Sequence, residues 1–336
     1  MPFGYHDLVS LDAICDRRLL ILSGKGGVGK TTVSAALGTL ATRHDLKVLL
    51  VEVEGRSALS NLFGGPVLGS GPRELRPGLY GMNISPEEAL KEYLEVQFHM
   101  KRVLRPLITS HLVEYATHAA PGLRDILMLG KVWHLATRRR EFDLLILDTP
   151  ASGHAVSMLR SPEGFLHAVP IGRLASHARG VMEWLRDPEQ VAVHLVTVAE
   201  EMPVSETLET VRRLERQLAT EVDQIYVNML YPPPGEDPSF EEVFSRLGGP
   251  GDLREAVAAA GGSLKVAAAR RLFAAGSFYR ARRAQQLEHR NELISSLGAP
   301  ASIVELPFLF RPSFGAKEIE HLADVIEHRI AERVAG

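Results

Sequence analysis

The 336-residue chain contains a single cysteine, Cys15. An internal disulfide is therefore excluded, and the cysteine usage fits a reducing compartment. An all-cysteine iron–sulfur cluster is excluded as well, even if two chains contribute one thiol each. No apolar run approaches the roughly 20 residues that span a bilayer. The N-terminal MPFGYHDLVSLDAICDRR carries acids and lacks a basic start before an apolar core, so it does not read as a secretory leader. A formal net charge of −3 supplies no strong basic field, and no nucleic-acid partner is expected. These absences predict a soluble, cytoplasmic protein with no integral membrane segment. Apolar content of 45% and charged content of 24% are those of an ordinary globular chain. The length suits one large α/β domain with insertions, or two small domains.

One stretch organises the rest: residues 19–32, LLILSGKGGVGKTT. The apolar start suits a buried strand, the glycines a tight turn, and Val33, Ala35, Ala36, Leu37 and Leu40 a helix. Gly24-x-x-x-x-Gly29-Lys30-Thr31 matches the P-loop spacing in its strand-before, helix-after context. Glycines let backbone N–H groups turn around phosphate oxygens, and the helix N-terminus adds its dipole. Lys30 reaches the β- and γ-phosphates in such a loop, and the Thr31 hydroxyl ligates Mg²⁺. Lys25 is a second lysine, after the first glycine. It is either a solvated side chain beside an anion or a group with a further task.

Residues 47–53 (KVLLVEV) read as a second parallel strand, completing a βαβ unit. Glu52 and Glu54 at its end place carboxylates where one can orient a water or meet Mg²⁺ through water. A simpler role for Glu54 is a helix cap or salt bridge. Residues 64–78 read as a Gly/Pro-rich loop. Ser85 and Glu88 form a capping-box signature ahead of Pro86. Residues 86–139 then read as mostly helical, interrupted at Pro106 and around residues 121–125, and ending at Arg138, Arg139 and Arg140. Their apolar stripe is either a helical layer on the sheet or a re-packing surface for an apolar client helix.

Residues 142–148 (FDLLILD) form an apolar strand ending in aspartate, the Walker B pattern, in which Asp148 holds the Mg²⁺ hydration shell. Gly153 and His154 follow in a loop placed to sense the γ-phosphate, although His154 also suits a plain loop histidine. Residues 158–188 read as helical, with Met158, Phe165, Met182 and Trp184 facing either the core or a client. Strands are expected at 191–197, 225–228 and 302–308, and helices at 204–218, 256–260, 264–275, 279–297 and 317–334. Asn228 closes the second of these strands, where its amide suits either an adenine edge or a turn. Strands alternate with helices throughout, which predicts one α/β domain over 1–336 with a mostly parallel sheet. Helical insertions are expected at about 86–139, 158–188 and 239–297.

Four loops in order, GKGGVGKTT, EVEGRSALSNLFG, DTPASGH and VN, followed by the strand LPF, make the chain resemble the ArsA-like deviant P-loop ATPases. That family includes the arsenite-pump ATPase and the targeting factor for tail-anchored membrane proteins. VLLVEVEGR and APGLRDILMLGK look most like its bacterial, paired members. The resemblance implies that Gly24, Gly26, Gly27, Val28, Gly29, Lys30, Thr31 and Thr32 hold ATP and Mg²⁺. It implies that Lys25 acts across a dimer on the partner's nucleotide, and that Glu54 sits in switch I. Asp148 would be the Mg²⁺-side aspartate, and Asn228, Pro307 and Phe308 would hold the adenine.

Three departures follow from the same resemblance. The eukaryotic members and arsenite pumps carry Asp-Pro-Ala-His where this chain has Glu54-Gly-Arg-Ser, so the water-positioning group is a methylene longer. The zinc-clasping Cys-x-x-Cys is missing, with Gly276 and Tyr279 near its place. Cys15 alone cannot supply the thiolates that arsenite activation needs. The reading is thus a nucleotide-gated Mg-ATPase, a homodimer or heterodimer, that binds an apolar helix or membrane-associated partner. Its rivals are a non-hydrolysing ATP-binding subunit and a partitioning or positioning ATPase. The tail 318–334 carries both signs of charge, unlike a basic membrane-binding helix.

Overall fold

A computed structural model describes residues 14–53, 58–98, 122–150, 152–233, 239–297 and 303–334. Eight strands form one sheet in the order β3-β4-β2-β5-β1-β6-β7-β8. They are β1 (Leu19–Ser23), β2 (Val48–Val53), β3 (Arg73–Arg76), β4 (Leu79–Ile84), β5 (Leu144–Asp148), β6 (Val191–Val198), β7 (Gln224–Leu230) and β8 (Ile303–Pro307). All neighbours are parallel except the β3–β4 edge pair. Central parallel strands are covered on both faces, which is why β1, β2 and β5 read as unbroken apolar runs.

Alternate residues feed two cores. Leu20, Leu22, Leu50 and Ile146 face a layer made by α1 (Lys30–Arg43) and the C-terminal helix Ala316–Val334. Leu19, Ile21, Val51 and Leu147 face the opposite layer. That layer contains α4 (Leu123–His134), α5 (Ser152–Ala168), α6 (Arg173–Leu185) and α7 (Glu201–Leu218). Between α1 and α4 in the chain come two further helices, α2 (Ala58–Phe63) and α3 (Pro86–Phe98). Helix α1 lies close on the sheet because residue 38 is glycine. A Cβ there would stand 2.8 Å from Leu50 and 2.9 Å from Leu79.

Beyond β7 lie α8 (Ser239–Arg246), α9 (Pro250–Ala259) and α10 (Val266–Leu297), and the closing helix is α11. The apolar residues Ile319, Leu322, Ala323, Ile326 and Ile330 give α11 one buried stripe at helical spacing.

Several sequence expectations change. Residues 64–78 are not loop throughout, because β3 pairs antiparallel with β4 there. Gly81 hid β4, yet it is needed: a Cβ would stand 2.8 Å from Leu75 and 2.9 Å from Leu68. The helices expected at 264–275 and 279–297 are one, running unbroken through Gly276. The Phe244 ring packs so closely on Gly276 that no Cβ fits. Met158, Phe165 and Trp184 are buried core, and Met182 is half-buried. The capping box is present, the Glu88 amide donating to Ser85 Oγ at 3.3 Å. The Pro106 break and the stripe beyond residue 98 lie outside the described residues.

Candidate nucleotide site

Strand β1 sits at the point where the sheet order reverses, with β5 on one side and β6 on the other. In such sheets the crevice at the carboxyl ends of the strands receives the ligand. There the chain leaves Ser23, turns through residues 24–29 and enters α1. Gly24, Gly27 and Gly29 adopt φ values of 154°, 86° and 90°, a region that favours glycine. A Cβ on Gly24 would run into the Val196 carbonyl oxygen, and one on Gly29 into the Asn228 amide nitrogen. By contrast, a Cβ on Gly26 or Gly27 would meet no atom within 4 Å, so the cradle they border is open. Lys30, Thr31 and Thr32 open α1 directly after the loop, where first-turn amides have no intrahelical acceptor and serve as anion donors.

The Lys30 ammonium curls back over the loop, donating to the carbonyls of Gly24 (2.9 Å) and Lys25 (3.1 Å). Burial holds its pKa below the ordinary lysine value, and the Asp148 carboxylate opposes that shift. A phosphate would compete directly for these donors. Thr31 Oγ1 donates a short hydrogen bond to Asp148 Oδ2. Thr149 Oγ1 donates to the Leu22 carbonyl at 2.7 Å, tying the end of β5 to β1.

Parallel register sets Asp148 beside Glu52 on β2. Burial is the main cause that raises the Asp148 pKa to about 6, with Glu52 adding to it and Thr31 and Lys30 opposing. Glu52 is raised too, chiefly by burial, while its Oε1 accepts the Leu59 amide at 3.1 Å. Among the described residues Asp148 Oδ1 and Glu52 Oε2 are buried and find no hydrogen-bond partner. Orphaned carboxylate oxygens beside a threonine hydroxyl are a donor set for a hydrated divalent cation, so these residues fit Mg²⁺.

A cavity of about 650 Å³ opens beside the loop. Its walls include Gly26–Val28, the start of α7, Tyr231, Phe308 and the α10 residues Arg282, Gln285 and His289. Gln286 fastens α10 to the end of β7, donating to the Met229 carbonyl (2.9 Å) and accepting the Tyr231 amide (2.8 Å). Arg282 pairs with Glu200 and so ties α10 to the loop before α7. Rings of Tyr231, Tyr279, Phe308 and Phe310 pack together with centroids 4.7–5.8 Å apart.

Of the residues singled out from sequence, Gly24, Lys25, Gly26, Gly27, Val28, Gly29, Lys30, Thr31, Thr32 and Asp148 cluster around the loop. Phe308 lines the cavity beside it, whereas Pro307 lines a different cleft at the β8 edge. Asn228 is buried against the loop itself: its Nδ2 donates to the Val28 carbonyl and its Oδ1 accepts the Met229 amide, both at 2.9 Å. Glu54 lies outside the described residues. His154, half exposed, stands 3.7 Å from Asp125 of α4. Lys25 pairs within its own chain, with Glu206 of α7 at 2.7 Å. Glu52 was legible as an acid ending a buried strand, but Glu206, Arg282 and Gln286 carry no motif. Only the fold brings them to the loop.

A P-loop at the switch point, with a threonine–aspartate contact behind it, defines a P-loop nucleotide-binding protein. Residues 17–170 match the model of the anion-transporting ATPase family. The ATPase BagA of Mycobacterium tuberculosis is 33% identical over 225 residues, 64% of this chain and 66% of that protein. The ATPase get3 of Schizosaccharomyces japonicus is 32% identical over 146 residues, 43% of each chain. The chain thus spans 66% of the length of the mycobacterial relatives it matches. Residues 17–170 thus carry a domain of the anion-transporting, ArsA-type ATPase family. Among the described residues no helix is long and apolar enough to cross a membrane.

Proposed function

We propose that the chain is a Mg-dependent ATPase, one domain over 1–336 with helical insertions, that works as a nucleotide-gated dimer. The observation that carries the reading is the phosphate loop backed by the Thr31–Asp148 hydrogen bond, with a carboxylate oxygen of Asp148 and one of Glu52 unpartnered among the described residues and suited to a cation's hydration shell. Gly24–Thr32 would hold the ATP phosphates. Bound Mg²⁺ would neutralise charge on the β- and γ-phosphates. Phe308 and the neighbouring cavity would take the nucleoside. Asn228 would act on the base, if at all, only by surrendering its bonds to the loop.

Lys25 would reach the partner subunit's nucleotide, giving up Glu206. Both side chains of that pair are about a third exposed (30% and 37%), so the cost is small, no more than about 1 kcal/mol. The dimer partner is a second copy or another ArsA-like subunit. A second reading, an ATP-binding subunit with little turnover, draws support from Glu54 in switch I.

The client would be an apolar helix or a membrane-associated partner. What supports this is an apolar cavity of about 490 Å³ between α3, α4 and α6, lined by Tyr93, Ile126, Leu127, Trp133, Leu174 and Val181. His154 would couple it to the phosphate site, because its neighbour Asp125 opens the helix that floors the cavity.

The test pairs two variants. Lys30→Ala should abolish ATP binding, measured with a fluorescent ATP analogue; retained affinity refutes the phosphate loop. Lys25→Ala should keep the fold yet weaken ATP-dependent dimerisation in sedimentation, and unchanged association refutes the cross-dimer role. Turnover of the isolated chain, then with a candidate partner subunit, separates the enzyme from the low-turnover reading.

A further inference from the structure

The apolar cavity between α3, α4 and α6 is polarised along its length. Helix α4 forms its floor through Ile126, Leu127, Gly130, Trp133 and His134, at helical spacing. At the N-terminal end the surroundings are wholly apolar, with Leu123, Ile126, Phe165 and Leu174 packed together. Further along come rings: His177 packs edge-on against Tyr93 (5.6 Å between centroids) and Trp133 (6.0 Å). Where α4 passes into a wide turn at Leu135–Arg139, the wall becomes basic, with Arg138 lining the cavity and Arg139 beside it.

The charges there are lopsided. Glu92 is the one carboxylate among the described lining residues, and Lys131 takes it at 3.0 Å. Lys131 is itself held, donating to the Ser70 carbonyl at 2.9 Å. Among the described residues, Arg138 and Arg139 form no ion pair. Their field reaches into the cavity: burial and Arg139, with Arg138, lower the His134 pKa, and burial and Arg138 lower that of His177. Both imidazoles therefore favour the neutral form, and the arginines supply the positive charge. The volume admits about one turn of an apolar helix rather than a whole membrane span. An occupant thus presents one end to the basic wall.

We propose that the cavity takes the end of an apolar helix that carries acidic residues, with its carboxylates seated at Arg138 and Arg139 and its apolar turn over Ile126, Leu127 and Trp133. The inference rests on the client reading above and adds the sign of the charge. A basic end would meet two cations and, among the described residues, no free carboxylate to receive it.

Three labelled synthetic helices with one Leu/Ala core, ending in Glu-Glu, Gln-Gln or Lys-Lys, are titrated against the full chain with ATP and Mg²⁺, read by fluorescence anisotropy. The acidic helix should bind about 5- to 20-fold more tightly than the neutral one, the range two partly exposed charge pairs give. The basic helix should bind weakest. The order should reverse in Arg138→Glu/Arg139→Glu. The wild-type preference should also fade between low and high salt, a readout that needs no variant to fold. Equal binding of acidic and neutral helices, or tighter binding of the basic one, overturns the charge rule and leaves the client reading standing. Binding by none of the three overturns both.

Discussion

Asn228 offers the sharpest test of how the phosphate loop is held. Its side chain is 3% exposed and spends both ends on backbone, Nδ2 on the Val28 carbonyl and Oδ1 on the Met229 amide. Met229 itself has φ 59°, so the bond to its amide also stabilises a left-handed residue at the end of β7. Asn228→Ala removes both partners at once. A buried backbone group left unpaired costs about 1–3 kcal/mol, and water entering the vacated space recovers part of that. The expected loss is about 2–4 kcal/mol of unfolding free energy without nucleotide. Urea denaturation would show it as a lower midpoint at an unchanged slope. Because the lost bond supports Val28 inside the cradle, affinities for ATP and GTP should fall together, by about tenfold for each 1.4 kcal/mol of loop ordering. The reasoning fails if stability is unchanged within about 0.5 kcal/mol while only the ATP-over-GTP preference collapses. That result would assign the amide to the base edge.

Two further perturbations probe the frame. Gly24→Ala combines a φ of 154° with a Cβ driven into the Val196 carbonyl, so nucleotide affinity should drop at least as far as in Asn228→Ala. Wild-type affinity in a calorimetric titration would contradict the close approach of the loop to β6. His194 is wholly buried, and burial with the nearby Arg17 lowers its pKa to about 3. Its unfolded value is about 6.5, so between those values the unfolded state binds the extra proton. The histidine's contribution is therefore intact above about pH 6.5 and declines as pH falls towards 3, by up to about 1.4 kcal/mol per pH unit. The stability difference between wild type and His194→Gln should accordingly shift in favour of the variant as pH falls from 7 to 4. A difference that stays constant would mean that His194 titrates alike in the folded and the unfolded protein.

The phosphate loop was legible in the sequence because its chemistry is local. Glycines at 24, 27 and 29 are demanded by backbone angles within a single turn, and Lys30 and Thr31 follow on the next turn of helix. The apolar runs at β1, β2 and β5 were equally plain, since strands covered on both faces need no polar residues. Strand β4 escaped notice because Gly81 breaks its pattern. The reason for that glycine is contact with Leu68 and Leu75, which only the folded sheet supplies.

What the amino-acid order determined by itself was a phosphate-binding turn between a strand and a helix, with an aspartate ending a second strand. What only the tertiary structure decided was who stands around it. Register between β2 and β5 sets Glu52 beside Asp148, and the course of β7 turns Asn228 inwards to the loop. Helix α7 brings Glu206 to Lys25, and α10 brings Gln286 and Arg282 to the cavity beside it. These contacts join residues far apart in the chain. Spacing cannot encode them, because they depend on how helices pack across a sheet.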